Sequence, residues 1–239
     1  MHPPKAAKVL GEKDGMEALR LNEEIRWQRS GRLRLRGLTR GDLALLSGDG
    51  VAPEDRRAQT FEAWPQAALI EALMRRHPDM QIAVEVDQCV VGGLLAWPRA
   101  EAFGAVLHPW SLREETADLG ALRGDIFGEA LDSTQGVLQG VGAVWPGAVE
   151  GAQVQKALQI GRQLLVQQRG CEATVSVVRA AGWRGAAGMS APAYLQQVHA
   201  RAIADARLSI YLDAGYMMRG YWQVGEAIEV LMRWAYRAH

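Results

Sequence analysis

"WPGAVEGAQVQKALQIGRQLLVQQRG", Trp145–Gly170, follows the apolar run "GVLQGVGAVW", Gly136–Trp145. It reads as a chain leaving a strand and entering a helix. Val154, Ala157, Leu158, Gly161, Leu164 and Leu165 recur at the three- and four-residue spacing of one helix face. The helix opens on small and uncharged residues, with Gly151, Ala152, Gln153 and Gln155 ahead of its first lysine, Lys156. A helix start leaves backbone N–H groups unpaired and carries partial positive charge, so it is either capped by its own sequence or holds an anion. A closely packed strand-to-helix connection would use the same small residues.

Working outward, "LRLRGL" (Leu33–Leu38) alternates apolar and basic residues, the pattern of a strand with one wet face. "GDLALL" (Gly41–Leu46) has helical spacing. So does "EAWPQAALIEALMRR" (Glu62–Arg76), which follows the turn-rich loop "SGDGVAPEDRR". "QIAVEVDQCVVGGLLAW" (Gln81–Trp97) is two apolar runs about Asp87 and Gln88, which predicts a hairpin with a short polar turn. The stretch from Arg99 to Gln135 has no clear pattern. "EATVSVV" (Glu172–Val178) predicts a strand, "AYLQQVHARAIADARLSIYLDAG" (Ala193–Gly215) a helix in two pieces, and "AIEVLMRWAY" (Ala227–Tyr236) a closing strand. No internal repeat is present. The expected class is α/β (α+β), a mixed sheet with helices about it. Residues 1–30, charged and weakly periodic, read as a tail or loosely docked helix, and 31–239 as a single domain.

Twenty-seven Lys and Arg balance 27 Asp and Glu, so no global field favours nucleic acid. Cys89 and Cys171 sit in apolar stretches without metal-ligand spacing, and both read as core fillers in a reducing compartment. His77, His108 and His199 stand far apart, so no metal is expected. The first residues, "MHPPKAAKVLGEKDG", lack the apolar run of a signal peptide, and no stretch approaches bilayer-spanning length. A soluble cytoplasmic protein with no membrane partner is the expectation.

Three constellations could carry chemistry. The first is the strand and small-residue helix start already quoted. The second is "IYLDAGY" (Ile210–Tyr216), a helix stopping at Gly215 in the C′ position, where Tyr211 reads equally as a core residue. The third is the region between Trp183 and Trp222, where Arg184 or Arg219 could meet a substrate, or where aromatic residues simply pack beneath solvated charge. Walker, G-x-G-x-x-G, G-x-S-x-G and H-E-x-x-H motifs are absent.

In order and spacing these pieces resemble the GNAT superfamily of acyl-CoA-dependent N-acyltransferases, over about residues 32 to 236. Val144-Trp145-Pro146 matches the family's V-x-P strand end. Gly151 through Leu158 lies on the pyrophosphate-binding helix start G-x-G-I-G-x-x-L, with one extra residue before it. Gln153 and Gln155 replace two family glycines, and Glu150 stands where Arg or Gln is usual. "IYLDAGYMMRGYW" looks like the family's Y-x-x-x-G-F/Y segment, and Asp205 with the residues after it resembles a bacterial subgroup with a longer connection before the tyrosine.

The resemblance implies a mostly antiparallel central sheet flanked by helices, acetyl-CoA as co-substrate, and homodimers. It also implies site residues. The backbone at Ala143 and Val144 would hold the acyl and pantetheine groups where central strands splay. The amides of Gly151, Ala152, Gln153, Val154, Gln155 and Lys156 would cradle the diphosphate, and Tyr211 would protonate the departing sulfur. The acceptor would be a small-molecule or peptide amine. No carboxylate stands on the "GVGAV" strand to act as base, which leaves Glu85, Glu114 and Glu115 as relays through water. The other function expected of this sequence is a non-catalytic acyl-CoA-binding or assembly module on the same fold.

Overall fold

The computed structural model describes residues 21–27, 31–46, 59–62, 67–99, 113–114, 136–146, 150–185 and 188–236. Two compact units are present, Met1–Ala96 with Gly142–Leu165, and Trp97–Val141 with Val166–His239.

In the first unit β1 (Glu24–Trp27), β2 (Gly31–Gly37), β4 (Ile82–Val86) and β5 (Cys89–Arg99) pair antiparallel in that order. Here the sequence expectation is corrected. Residues 24–27 fall in the segment read as a tail, yet they form β1, with Glu24 opposite Arg34 and Trp27 opposite Gly31. Four residues are too few to show a period of two, so only the partner strand reveals them. Gly31 opens β2 at a φ of +97°, and a Cβ there would lie 2.1 Å from the Asp87 carboxylate oxygens. That carboxylate accepts from the Arg32 N–H at 2.9 Å and ties the start of β2 to the β4–β5 turn.

The predicted hairpin is present, with Asp87 and Gln88 both at positive φ as a two-residue primed turn requires. Cys89, directly after that turn, is exposed rather than a core filler. Among the described residues of the N-terminal part are also helices α1 (Arg40–Leu46) and α2 (Ala67–Arg76) and the short strand β3 (Gln59–Glu62). The loop predicted between α1 and β3 lies outside the described residues. Arg36 on β2 bonds Asp42 at 2.6 and 2.8 Å and also Glu85.

Helix α3 (Glu150–Arg169) buries the predicted face: Val154, Ala157, Leu158, Gly161 and Leu165 are buried and Leu164 half-buried. Gly161 explains itself through packing. A Cβ there would sit 3.1 Å from Ile82 Cδ1 and 3.4 Å from Leu35 Cδ1, so the helix lies close on β2 and β4.

In the second unit β7 (Val137–Pro146, with residues 137–141 here) runs parallel to β8 (Ala173–Arg179) over Val137–Gln139 opposite Ala173–Val175. β8 pairs antiparallel with β10 (Ala227–Ala235), and β10 with β9 (Met217–Val224). β6 (Arg113–Glu114) lies parallel to β9. The β9 strand has no expectation behind it in the sequence: Gly220 interrupts its alternation, and the register steps over Arg219 opposite Leu231 and Met232 of β10. The predicted two-piece helix is α4 (Ala191–His199) and α5 (Leu208–Asp213). Both bury apolar residues against the sheet, in a cluster of Tyr194, Leu195, Val198, Leu208 and Tyr211 with Val178, Val230 and Met232. Cys171 is buried, as expected, and burial pushes its thiol up against the opposing charge of Arg169. The fold is a mixed, mostly antiparallel sheet flanked by helices.

Candidate functional site

The first unit carries the strand-to-helix passage. Ala143 is buried in β7, and Ala143–Pro146 pairs antiparallel with β3, Val144 opposite Phe61 and Trp145 opposite Thr60. One edge of this backbone is therefore occupied. α3 begins at Glu150, four residues after Pro146, and its 20 residues give a full helix dipole at that end. Gly151, Val154 and Gln155 are buried, Gln153 is exposed and Lys156 half-buried; the side chains of Val144, Glu150 and Ala152 lie outside the described residues. The replaced family glycines thus differ: Gln153 points to solvent, Gln155 inward.

Gln155 begins a feature the sequence reading missed. Gln155, Gln159 and Arg162 are each at most 1% exposed, a polar stripe beside the apolar face. Arg162 donates to Gln159 Oε1, while the Nε2 groups of Gln155 and Gln159 are buried without a hydrogen-bond partner. Their i, i+4, i+7 spacing was visible; that they are buried was not.

The second unit carries Tyr211, the third residue from the end of α5 and 2% exposed. Its carbonyl accepts from the Tyr216 N–H at 3.0 Å, and the Gly215 N–H donates to Leu212 O at 3.1 Å. Gly215 has φ +82°. This is the closed Schellman ending, with the glycine at the predicted C′ position.

Asp205 lies before α5 and is fully buried. Its Oδ1 accepts from the N–H groups of Arg207 (3.0 Å) and Leu208 (2.9 Å). Its Oδ2 accepts from the Gly182 N–H (2.8 Å) and the Tyr194 hydroxyl (2.7 Å). Burial, then the hydrogen bond to Asp205 and its charge, hold the Tyr194 hydroxyl well above the ordinary tyrosine range, against a smaller pull from Gly182.

The third constellation is not brought together. Trp183 packs on the cluster containing Tyr194 and meets that ring edge-on at 5.5 Å, whereas Trp222 belongs to a separate cluster with Val137, Ala173, Val175 and Leu231. Arg184 is exposed; Arg219 is half-buried, and burial followed by the charge of Arg233 lowers its pKa. Of the relay carboxylates, Glu85 is committed to Arg36, and the side chains of Glu114 and Glu115 lie outside the described residues. Among the described residues no group of three His, Cys, Asp or Glu could hold a metal, and no helix is long and apolar enough to cross a membrane.

No protein-family model and no curated protein sequence matches the chain. Solved structures do. The GphF GNAT-like decarboxylase in complex with isobutyryl-CoA superposes with a TM-score of 0.54 at 21% identity, covering 85% of this chain and 100% of the other. The loading GNATL domain of CurA from Lyngbya majuscula gives 0.55 at 14% identity, covering 85% and 97%. The chain has the GNAT fold.

Proposed function

We propose that this protein binds an acyl-CoA and transfers its acyl group, in the narrower form an acetyl group from acetyl-CoA to the amine of a small molecule or peptide. The observation that carries this is the passage from β7 into the 20-residue α3, with buried Gly151 at the second helical position. Small residues there let a diphosphate approach the free amides, and the helix end attracts it. Lys156 adds a cation one turn on. The solved structure of a GNAT-like decarboxylase in complex with isobutyryl-CoA, on the same fold, supports the ligand class.

In direct transfer the neutral amine attacks the thioester carbonyl, the C–N bond forms as the C–S bond breaks, the amide nitrogen releases its extra proton to water, and the thiolate needs a proton. Tyr211 is assigned that donation. No base is assigned, so the amine must arrive partly neutral and the rate should rise with pH toward the amine's own pKa.

A second reading is favoured by what these two neighbours are called, a decarboxylase and a loading domain. In that form the donor would be an acyl-CoA with a carboxylate on the carbon next to the thioester carbonyl; the bond between that carbon and the carboxylate breaks, carbon dioxide leaves, and the thioester enolate left behind takes a proton from water.

The test is in two parts. CoA at one hundred times its Kd should add about 2.7 kcal/mol, raising Tm by about 5–10 °C; no shift at millimolar CoA removes every form of the proposal. Mass spectrometry with acetyl-CoA and an amine library, beside carbon dioxide release from malonyl-CoA, then separates amine acylation, decarboxylation and binding alone.

A further inference from the structure

Asp205 is a buried carboxylate whose four hydrogen bonds all come from uncharged donors, on three separate segments. Gly182 follows β8, Tyr194 is in the middle of α4, and Arg207 and Leu208 lead into α5. Helix α5 has only six residues, too few to hold a direction by its own hydrogen bonds, so its ends must be held from outside. Gly215 and Tyr216 close its C-terminal end; at its start the Asp205 side chain accepts from Arg207 and Leu208, its carbonyl accepts from the Ser209 N–H, and Arg201 reaches the Ser209 carbonyl. Leu208 and Tyr211 are one turn apart, on the same face.

The fit about Asp205 is close. A Cβ on Gly182 would lie 2.6 Å from the Tyr194 hydroxyl, so residue 182 must be glycine for the tyrosine and the backbone N–H to reach the same oxygen. Nothing in helix capping alone requires this, since Oδ1 by itself accepts from the N–H groups of Arg207, just before α5, and Leu208, its first residue.

We propose that Asp205 is a positioning residue: by locking the start of α5 to α4 and to the segment after β8, it sets the direction in which Tyr211 is held. The inference rests on the acid role given to Tyr211 above. It separates Asp205 from the many buried residues that only add stability, because its effect on turnover must pass through one hydroxyl.

The experiment uses the full chain with Asp205→Asn, Tyr194→Phe and Gly182→Ala, each alone and combined with Tyr211→Phe. Circular dichroism checks folding, calorimetry gives the Kd for CoA, and kcat is measured with whichever of acetyl-CoA or malonyl-CoA turns over. Asp205→Asn is expected to lower kcat about tenfold and Tyr194→Phe about threefold, with the CoA Kd within about twofold of wild type. In the Tyr211→Phe background neither should lower kcat further, which is the signature of action through one group. Losses that multiply with that of Tyr211→Phe overturn the inference, as does wild-type kcat in both single variants. If Asp205→Asn does not fold, Tyr194→Phe carries the same comparison.

A Tyr211→Phe variant with wild-type kcat is a different result, and removes the acid role along with the positioning built on it. One readout is independent of turnover. In protein with ring-labelled tyrosine, the Tyr211 resonance, identified by its loss in Tyr211→Phe, should shift in Tyr194→Phe while that of exposed Tyr236 stays; an unmoved Tyr211 signal overturns the inference.

Discussion

The rings of Tyr211 and Tyr216 meet edge-on, with centroids 5.2 Å apart and planes at 84°. Tyr216 also donates its N–H to the Tyr211 carbonyl, so the pair is both the hydrogen-bonded closure of α5 and its apolar contact. The segment Y-x-x-x-G-Y therefore has a structural duty whatever its chemistry. Ring and hydroxyl can be separated by substitution.

Tyr211→Phe keeps the ring against Tyr216, while kcat should fall about 10²-fold and CoA affinity stay, because a bond to sulfur matters as charge develops. Tyr211→Ala should instead cost about 3–5 kcal/mol of stability by opening a cavity. Steady-state kinetics beside thermal melts distinguishes the two duties; lost CoA affinity with intact kcat would make Tyr211 a binding residue.

At the start of α3 the charge of residue 150 is the variable. Glu150→Gln should tighten CoA several-fold at low salt, since a screened charge pair near a surface is worth on the order of 1 kcal/mol, and the gain should shrink as salt rises. Gly151→Asp adds bulk and charge at a buried position and should weaken CoA tenfold or more. Calorimetric indifference to both changes would mean that the diphosphate sits elsewhere.

Acid stability should depend on Asp42. Burial alone would push its carboxyl up, but hydrogen bonds from Arg36 and from the Thr39 hydroxyl and N–H, with the charge of Arg36, hold it at about 2 against an ordinary 3.8. A depressed pKa contributes stability that is present above the unfolded value and lost as pH falls toward the folded one. Urea melts should therefore show about 2 kcal/mol from this group at neutral pH, lost between about pH 4 and pH 2. Asp42→Asn should flatten that part of the profile.

The two buried glutamines of α3 should respond oppositely to methionine. Gln155→Met removes an amide whose Nε2 has no partner and should be neutral or stabilising by about 1 kcal/mol. Gln159→Met takes one acceptor from the buried Arg162 guanidinium and should destabilise by about 2 kcal/mol. Equal effects in chemical melts would mean that the Arg162 contact to Gln159 carries no weight.

What the sequence determined by itself was local. The Asp87–Gln88 hairpin, the buried face of α3 and the stop at Gly215 follow from turn chemistry and from spacing within a dozen residues, and the strand–helix order that resembles the GNAT superfamily is built from such pieces. Tertiary structure decided what depends on distant partners. β1 exists because β2 pairs with it; β9 is a strand through β10 despite Gly220 and the register shift. Glu85 is committed to Arg36, 49 residues away, and is no relay. Trp183 and Trp222 share a stretch of sequence but pack in different clusters. Asp205 shows the reason most directly: its place ahead of α5 is legible in the sequence, but not that one of its oxygens is filled by Gly182, 23 residues back, and by the Tyr194 hydroxyl. Periodicity records which way a residue faces along its own element, whereas burial and hydrogen-bond partners belong to whatever the fold brings against it.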